Sequence, residues 1–142
     1  MLKMFLIFGL KKSQPTKIGG REMIEFLPES EGNLLVAKGT GKLTAKDYGD
    51  VFIPKLDELL NEYKKIRIVF YLAEGFKGWE LGAAWDDAKF GFKHRNDMEK
   101  IAVVGGPKWV EWSTKIGAHF IKCEVKTYKI DELTTAIEWM KI

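Results

Sequence analysis

The chain reads as an α/β domain in which one mixed, mostly parallel β-sheet of about five strands carries four to five helices. Three observations predict this. Ile66-Arg67-Ile68-Val69-Phe70-Tyr71-Leu72 is β-branched or aromatic at nearly every position, with one arginine inside, which is the pattern of a strand buried on both faces. Ala73-Glu74-Gly75-Phe76-Lys77-Gly78-Trp79 then brings two glycines and two aromatics before a helical pattern opens, giving the strand, loop and helix of a βαβ half-unit. Upstream, two apolar runs flank a Gly32-Asn33 turn, so the sheet should begin with an antiparallel hairpin. Ligands and partners of open α/β sheets sit at the carboxyl ends of the strands, which places the expected site in the Glu74–Trp79 loop.

The chain has 142 residues, the size of one ordinary domain, and is 46% hydrophobic and 30% charged, a globular balance. No apolar run approaches the roughly 18 to 20 residues of a membrane span, so stable membrane insertion is not expected. The single cysteine, Cys123, forbids an intrachain disulfide and fits a reducing, cytoplasmic setting. Two histidines and one cysteine are too few for a zinc site built from those ligands alone, and no cofactor is expected. The net charge of +3 belongs to the first 22 residues, where Lys3, Lys11, Lys12, Lys17 and Arg21 face only Glu22. The body is close to neutral and offers no electrostatic case for nucleic acid.

Residues 1–22 read as a disordered or non-native leader, and 23–142 as a single domain. Met1 to Leu10 begins like a secretory signal but lacks a small-x-small cleavage site. Ile18-Gly19-Gly20-Arg21-Glu22 can be encoded by a purine-rich, ribosome-binding-like stretch, so Met23 is the expected natural start.

Met23–Leu27 is a strand ended by Pro28, and Leu34–Thr40 is the second strand of the hairpin. Gly41-Lys42-Leu43-Thr44 resembles the tail of a phosphate-binding loop but fails, because Val36 and Leu43 stand where glycine and a hydroxyl residue are required. Thr44 instead caps a helix, with Asp47 as its partner in a capping box. Pro54 should end a first helical piece near Phe52 and open a second carrying Leu56, Leu59, Leu60 and Tyr63 on one face. After the Gly75–Trp79 loop a helix is expected from about Glu80 to Arg95, with Leu81, Ala84, Trp85, Ala88 and Phe92 against the sheet. Ile101–Val104 is the next buried strand, and Gly105-Gly106-Pro107 opens a helix carrying Trp109, Val110, Trp112 and Ile116 and stopping at Gly117. Glu124–Tyr128 reads as an edge strand, and Asp131 should cap a last helix that buries Leu133, Ala136, Ile137 and Met140. The order is β-β-α-β-α-β-α-β-α.

Two constellations could carry function. Glu74, Phe76, Lys77 and Trp79 of the loop, with Ala83, Asp86 and Phe90 on the outer face of the following helix, form a candidate ligand or partner surface. Packing under a loop or in a homodimer explains the same aromatics. His94, Arg95 and Asp97 form a candidate polar cluster, in which Asp97 could orient His94 as a base; capping or a surface hydrogen bond explains them equally. Asp86 and Asp87 point about 100° apart on a helix and do not converge on one atom. Cys123 reads as a small buried apolar residue.

Four stretches carry a resemblance over nearly the whole body. They are Gly41-Lys42-Leu43-Thr44-Ala45-Lys46-Asp47-Tyr48, Gly78-Trp79-Glu80-Leu81-Gly82-Ala83, Lys93-His94-Arg95-Asn96-Asp97 and Ile101-Ala102-Val103-Val104-Gly105. Together they make residues 23–142 similar to the SpoIIAA-like proteins, which are related to STAS domains. The resemblance implies the STAS-type α/β sandwich, with a distant likeness to the lipid-binding CRAL-TRIO domains, and a bacterial binding module with no established reaction. STAS-type anti-sigma-factor antagonists are switched by phosphorylation of a serine or threonine after a central strand. The matching loop, Glu74 to Trp79, holds no hydroxyl residue, so that switch is not expected. The preferred expectation is a non-catalytic module for a protein partner or an apolar, lipid-like small molecule. The rival is an enzyme of unknown reaction using His94 and nearby acids.

Overall fold

The computed structural model describes residues 17–18, 21–80, 89, 93–94, 96–118 and 123–142. Its centre is a five-stranded sheet built from β3 (Ile24–Phe26), β4 (Leu34–Gly39), β6 (Ile66–Leu72), β8 (Met98–Gly105) and β9 (Glu124–Tyr128), in that spatial order. β3 and β4 are antiparallel, and every other neighbouring pair is parallel. Two small ribbons flank the sheet: β1 (Lys17–Ile18) pairs with β2 (Arg21–Glu22), and β5 (Lys42–Leu43) pairs with β7 (Gly78–Trp79). Among the described residues, the helices with defined bounds are α1 (Ala45–Asp47), α2 (Ile53–Glu62), α3 (Lys108–Gly117) and α4 (Leu133–Met140).

β6 lies in the middle, and its apolar run serves two cores. Side chains alternate across a strand, so Ile66, Ile68 and Leu72 join Leu35, Ala37, Met98 and Val103 on one face, under Tyr48, Phe52, Leu56, Phe76 and Val110. Val69 joins Leu34, Val36, Ala102 and Val104 on the other, under Ala136, Ile137 and Met140 of α4. Burial on both faces is what permits polar positions to be so few.

β8 is longer than the expected Ile101–Val104, because Met98 and Lys100 also pair with β6, and the register shifts past Glu99 between them. Charged residues are admitted there by specific partners. Glu99 receives the Arg67 guanidinium at 2.9 Å. The Lys100 ammonium donates to the Trp139 carbonyl at 3.0 Å and lies 4.9 Å from that indole. Arg67 also donates to the Met140 carbonyl. Two cations therefore satisfy the last carbonyls of α4, where the helix dipole is negative.

Thr44 caps α1 as expected: its hydroxyl accepts from the Asp47 amide at 3.1 Å, and the Asp47 carboxylate accepts from the Thr44 amide at 2.7 Å. The helix does not break before Pro54. A π-turn over Tyr48–Phe52 carries the chain into α2, and the Ile53 amide bonds back to the Tyr48 carbonyl, five residues earlier. The wider turn makes room for a residue that has no amide hydrogen and whose ring clashes in a regular helix. Asp131 does not cap the last helix. A 3-10 turn over Ile130–Glu132 precedes α4, and Glu132 reaches back to the Lys129 amide at 2.7 Å. The expected helix from Glu80 to Arg95 lies for the most part outside the described residues.

Candidate ligand cleft and polar cluster

Parallel strands bring every loop that follows them to one end of the sheet. The segments after β6, β8 and β9 meet there around a cleft of ≈ 590 Å³, within the roughly 300–1,000 Å³ of small-molecule sites. Ala73, Glu74, Gly75 and Phe76 form one wall; Val103, Gly105, Gly106, Pro107, Lys108 and Glu111 form the second; Thr127 to Ile130 and Glu132 form the third.

Backbone shape creates this space. Gly105 has φ 81°, and a Cβ on it would lie 2.6 Å from the Leu72 carbonyl oxygen. Only glycine fits that close approach without displacing the end of β6. The β6 loop is held from behind by Ala73 N–H to the Gly39 carbonyl at 3.0 Å, Lys77 N–H to Gly41 at 2.7 Å and Glu80 N–H to Leu43 at 2.8 Å. These ties press Phe76 into the core, where it is 7% exposed, while Glu74 stays in solvent. Burial, and then the Glu132 carboxylate, hold the Tyr128 phenol above its ordinary range. It remains a neutral hydrogen-bonding group in the third wall.

Among the loop residues singled out from the sequence, Glu74 and Phe76 line the cleft. Lys77 is exposed beside it. Trp79 lies in an aromatic chain behind it, 5.0 Å from Phe76 and 6.0 Å from Trp109 between ring centroids, both edge-on. Its indole N–H donates to the Tyr48 hydroxyl at 2.6 Å. Ala83, Asp86, Phe90 and Arg95 lie outside the described residues.

His94 and Asp97 do meet, with Nδ1 2.9 Å from the carboxylate. They stand at the amino end of the sheet, where the Asp97 carbonyl accepts from the Ile66 amide at 3.0 Å. A seven-residue strand separates this point from the cleft by roughly 20 Å. Asp57 of α2 adjoins the cluster. Burial raises its carboxyl above the usual aspartate range, and the positive fields of His94 and Lys93 oppose that rise. Cys123 is half-buried against the first core cluster, and desolvation, then Glu124, push its thiol up.

Sequence reading did not include the second and third walls of the cleft, Gly105–Lys108 and Lys129–Glu132. The signal for them is topological: if β6, β8 and β9 run parallel, the residues following each must converge.

Among the described residues, no group of three or more His, Cys, Asp or Glu side chains is placed to hold a metal ion, and no helix is long and apolar enough to cross a membrane. No curated protein matches the chain. A solved structure titled as an uncharacterized protein of the DUF3478 family with a SpoIIAA-like fold, from Shewanella loihica PV-4, is 30% identical, with a TM-score of 0.66. The likeness covers 82% of this chain and 90% of that one. The SpoIIAA-like family model matches residues 34–141, a span that takes in β4 through α4, and on that match the chain belongs to the SpoIIAA-like family.

Proposed function

We propose that this protein is a non-catalytic binding module whose ligand is a small molecule with an apolar body, held in the cleft at the carboxyl ends of β6, β8 and β9. The observation that carries the reading is the cleft itself, a ≈ 590 Å³ space with Phe76, Val103, Pro107 and Ile130 in its walls and a rigidly tied loop on one side. Apolar walls with a few convergent polar groups suit binding and orientation. Among the described residues, no nucleophile with a base beside it lines the cleft. A concave site also favours a small ligand over the flat epitope of a protein partner.

Native mass spectrometry of protein purified from a bacterial host tests this. The expected result is a population carrying a bound amphiphile, or an apo protein that takes up fatty acids one to one. Apo spectra that stay unchanged with excess fatty acid contradict it, and a stable protein–protein complex recovered in their place supports a protein partner.

The His94–Asp97 pair favours a second reading, an enzyme using His94 as a base. On that reading an activity would show a pH dependence that His94→Ala abolishes.

A further inference from the structure

The charges around the cleft are not equivalent. Among the described residues, five charged side chains line it: Glu74, Lys108, Glu111, Lys129 and Glu132. Glu111 is engaged by Lys115 at 3.1 Å, and Glu132 accepts from the Lys129 amide at 2.7 Å. Both acids already have partners within the protein. The Lys108 and Lys129 ammonium groups and the Glu74 carboxylate have no hydrogen bond or ion pair among the described residues. Lys108 and Lys129 stand on the second and third walls, and Glu74 on the first. Among the described residues, the cations of the cleft therefore stand on the α3 and β9 walls, Lys108 near the ion-paired Glu111 and Lys129 near Glu132, which keeps its charge, while the β6 wall carries the anion Glu74 alone. The apolar surface of Phe76, Val103, Pro107 and Ile130 belongs to the same space.

We propose that the ligand is an anionic amphiphile, with its apolar body on Phe76, Val103, Pro107 and Ile130 and its carboxylate or phosphate at the Lys108–Lys129 rim. This rests on the reading of the cleft as a small-molecule site and adds the charge and direction of the ligand. Two ammonium groups on adjoining walls match a group with several acceptor oxygens. Glu74 repels the headgroup from the opposite wall and fixes which way the chain enters.

Isothermal titration calorimetry with octyl phosphate, 1-octanol, octyltrimethylammonium and inorganic phosphate tests it on the full chain at low salt. Octyl phosphate should bind about tenfold more tightly than 1-octanol, the size expected of two exposed charge contacts. Octyltrimethylammonium should bind more weakly than 1-octanol, and inorganic phosphate more weakly than octyl phosphate. Lys108→Gln with Lys129→Gln should bring octyl phosphate down to the level of 1-octanol without changing 1-octanol itself. Lys108→Arg with Lys129→Arg should keep the preference, which a merely structural role for these lysines does not require. Raising the salt should shrink the preference.

Equal binding of all three octyl compounds, or a preference that survives the double glutamine variant, overturns the headgroup assignment while the cleft remains a small-molecule site. Inorganic phosphate binding as tightly as octyl phosphate overturns the amphiphile. If no octyl compound binds to folded protein, both the assignment and the underlying reading fall.

Discussion

Where β6 and β8 begin, the chain is sewn together by polar groups. The Asn33 side chain donates to the Lys65 carbonyl at 3.1 Å, Arg67 N–H to the Asn33 carbonyl at 2.9 Å, and Ile66 N–H to the Asp97 carbonyl at 3.0 Å. Lys65 adds a bond to the Asn96 carbonyl, Arg67 one to Glu99, and His94 one to Asp97. Where the same strands stop, glycine turns open a cleft, and the side-chain ties described beside it are local ones, Glu111 to Lys115 and Glu132 to the Lys129 amide. The contrast teaches that a pair of titratable residues in hydrogen-bond contact is not by itself a site. At the amino end the polar groups bond to one another and to the backbone, and at the carboxyl end three of them have no partner among the described residues.

The largest test of this contrast is Gly105→Ala. With φ at 81° and the Leu72 carbonyl 2.6 Å from the new Cβ, the end of β6 must move. A loss of about 3 kcal/mol in urea unfolding is expected, together with weaker ligand binding at the cleft. Little change in stability would mean that the strand ends are not held in this approach.

His94→Ala removes the hydrogen bond to Asp97 and should cost at least about 1 kcal/mol, while leaving ligand affinity at the cleft unchanged. A parallel loss of affinity in a folded variant would show that the two ends are coupled and would contradict their separation.

The smallest effect concerns Asp57. Its carboxyl is raised in the folded protein by burial, so the folded state holds its proton more tightly than the unfolded state does. Stability from this group is present below the ordinary aspartate value and is lost as pH rises through the raised one. Asp57→Asn should therefore raise the Tm slightly, by roughly 1 °C at neutral pH, with the gain vanishing below about pH 3.8. A variant less stable than the parent at neutral pH would show that attraction to His94 and Lys93 outweighs burial.

The sheet was legible because double-sided burial leaves a continuous apolar run, and β4, β6 and β8 each carry one. The first three residues of β8 were not, since Glu99 and Lys100 look like loop until Arg67 and the Trp139 carbonyl are placed beside them. The π-turn before Pro54 was hidden for a different reason. Proline signals a break in a regular helix, and no local pattern distinguishes a break from one widened turn. The Glu74–Phe76 loop was legible as a site through the rule for strand ends, but its charge was not. Whether Lys108, Glu111, Lys129 or Glu132 is already engaged depends on tertiary partners that spacing along the chain does not reveal.

The central claim is that ligand binds at the carboxyl end of the sheet and leaves the amino end untouched. Backbone amide chemical shifts followed by NMR during titration with octyl phosphate test it most directly. The account predicts saturable shifts at Ala73–Phe76, Gly105, Gly106, Lys108 and Lys129–Glu132, with His94, Asn96 and Asp97 unmoved. Shifts centred on His94 and Asp97, or a spectrum that does not change at saturating ligand, would contradict it.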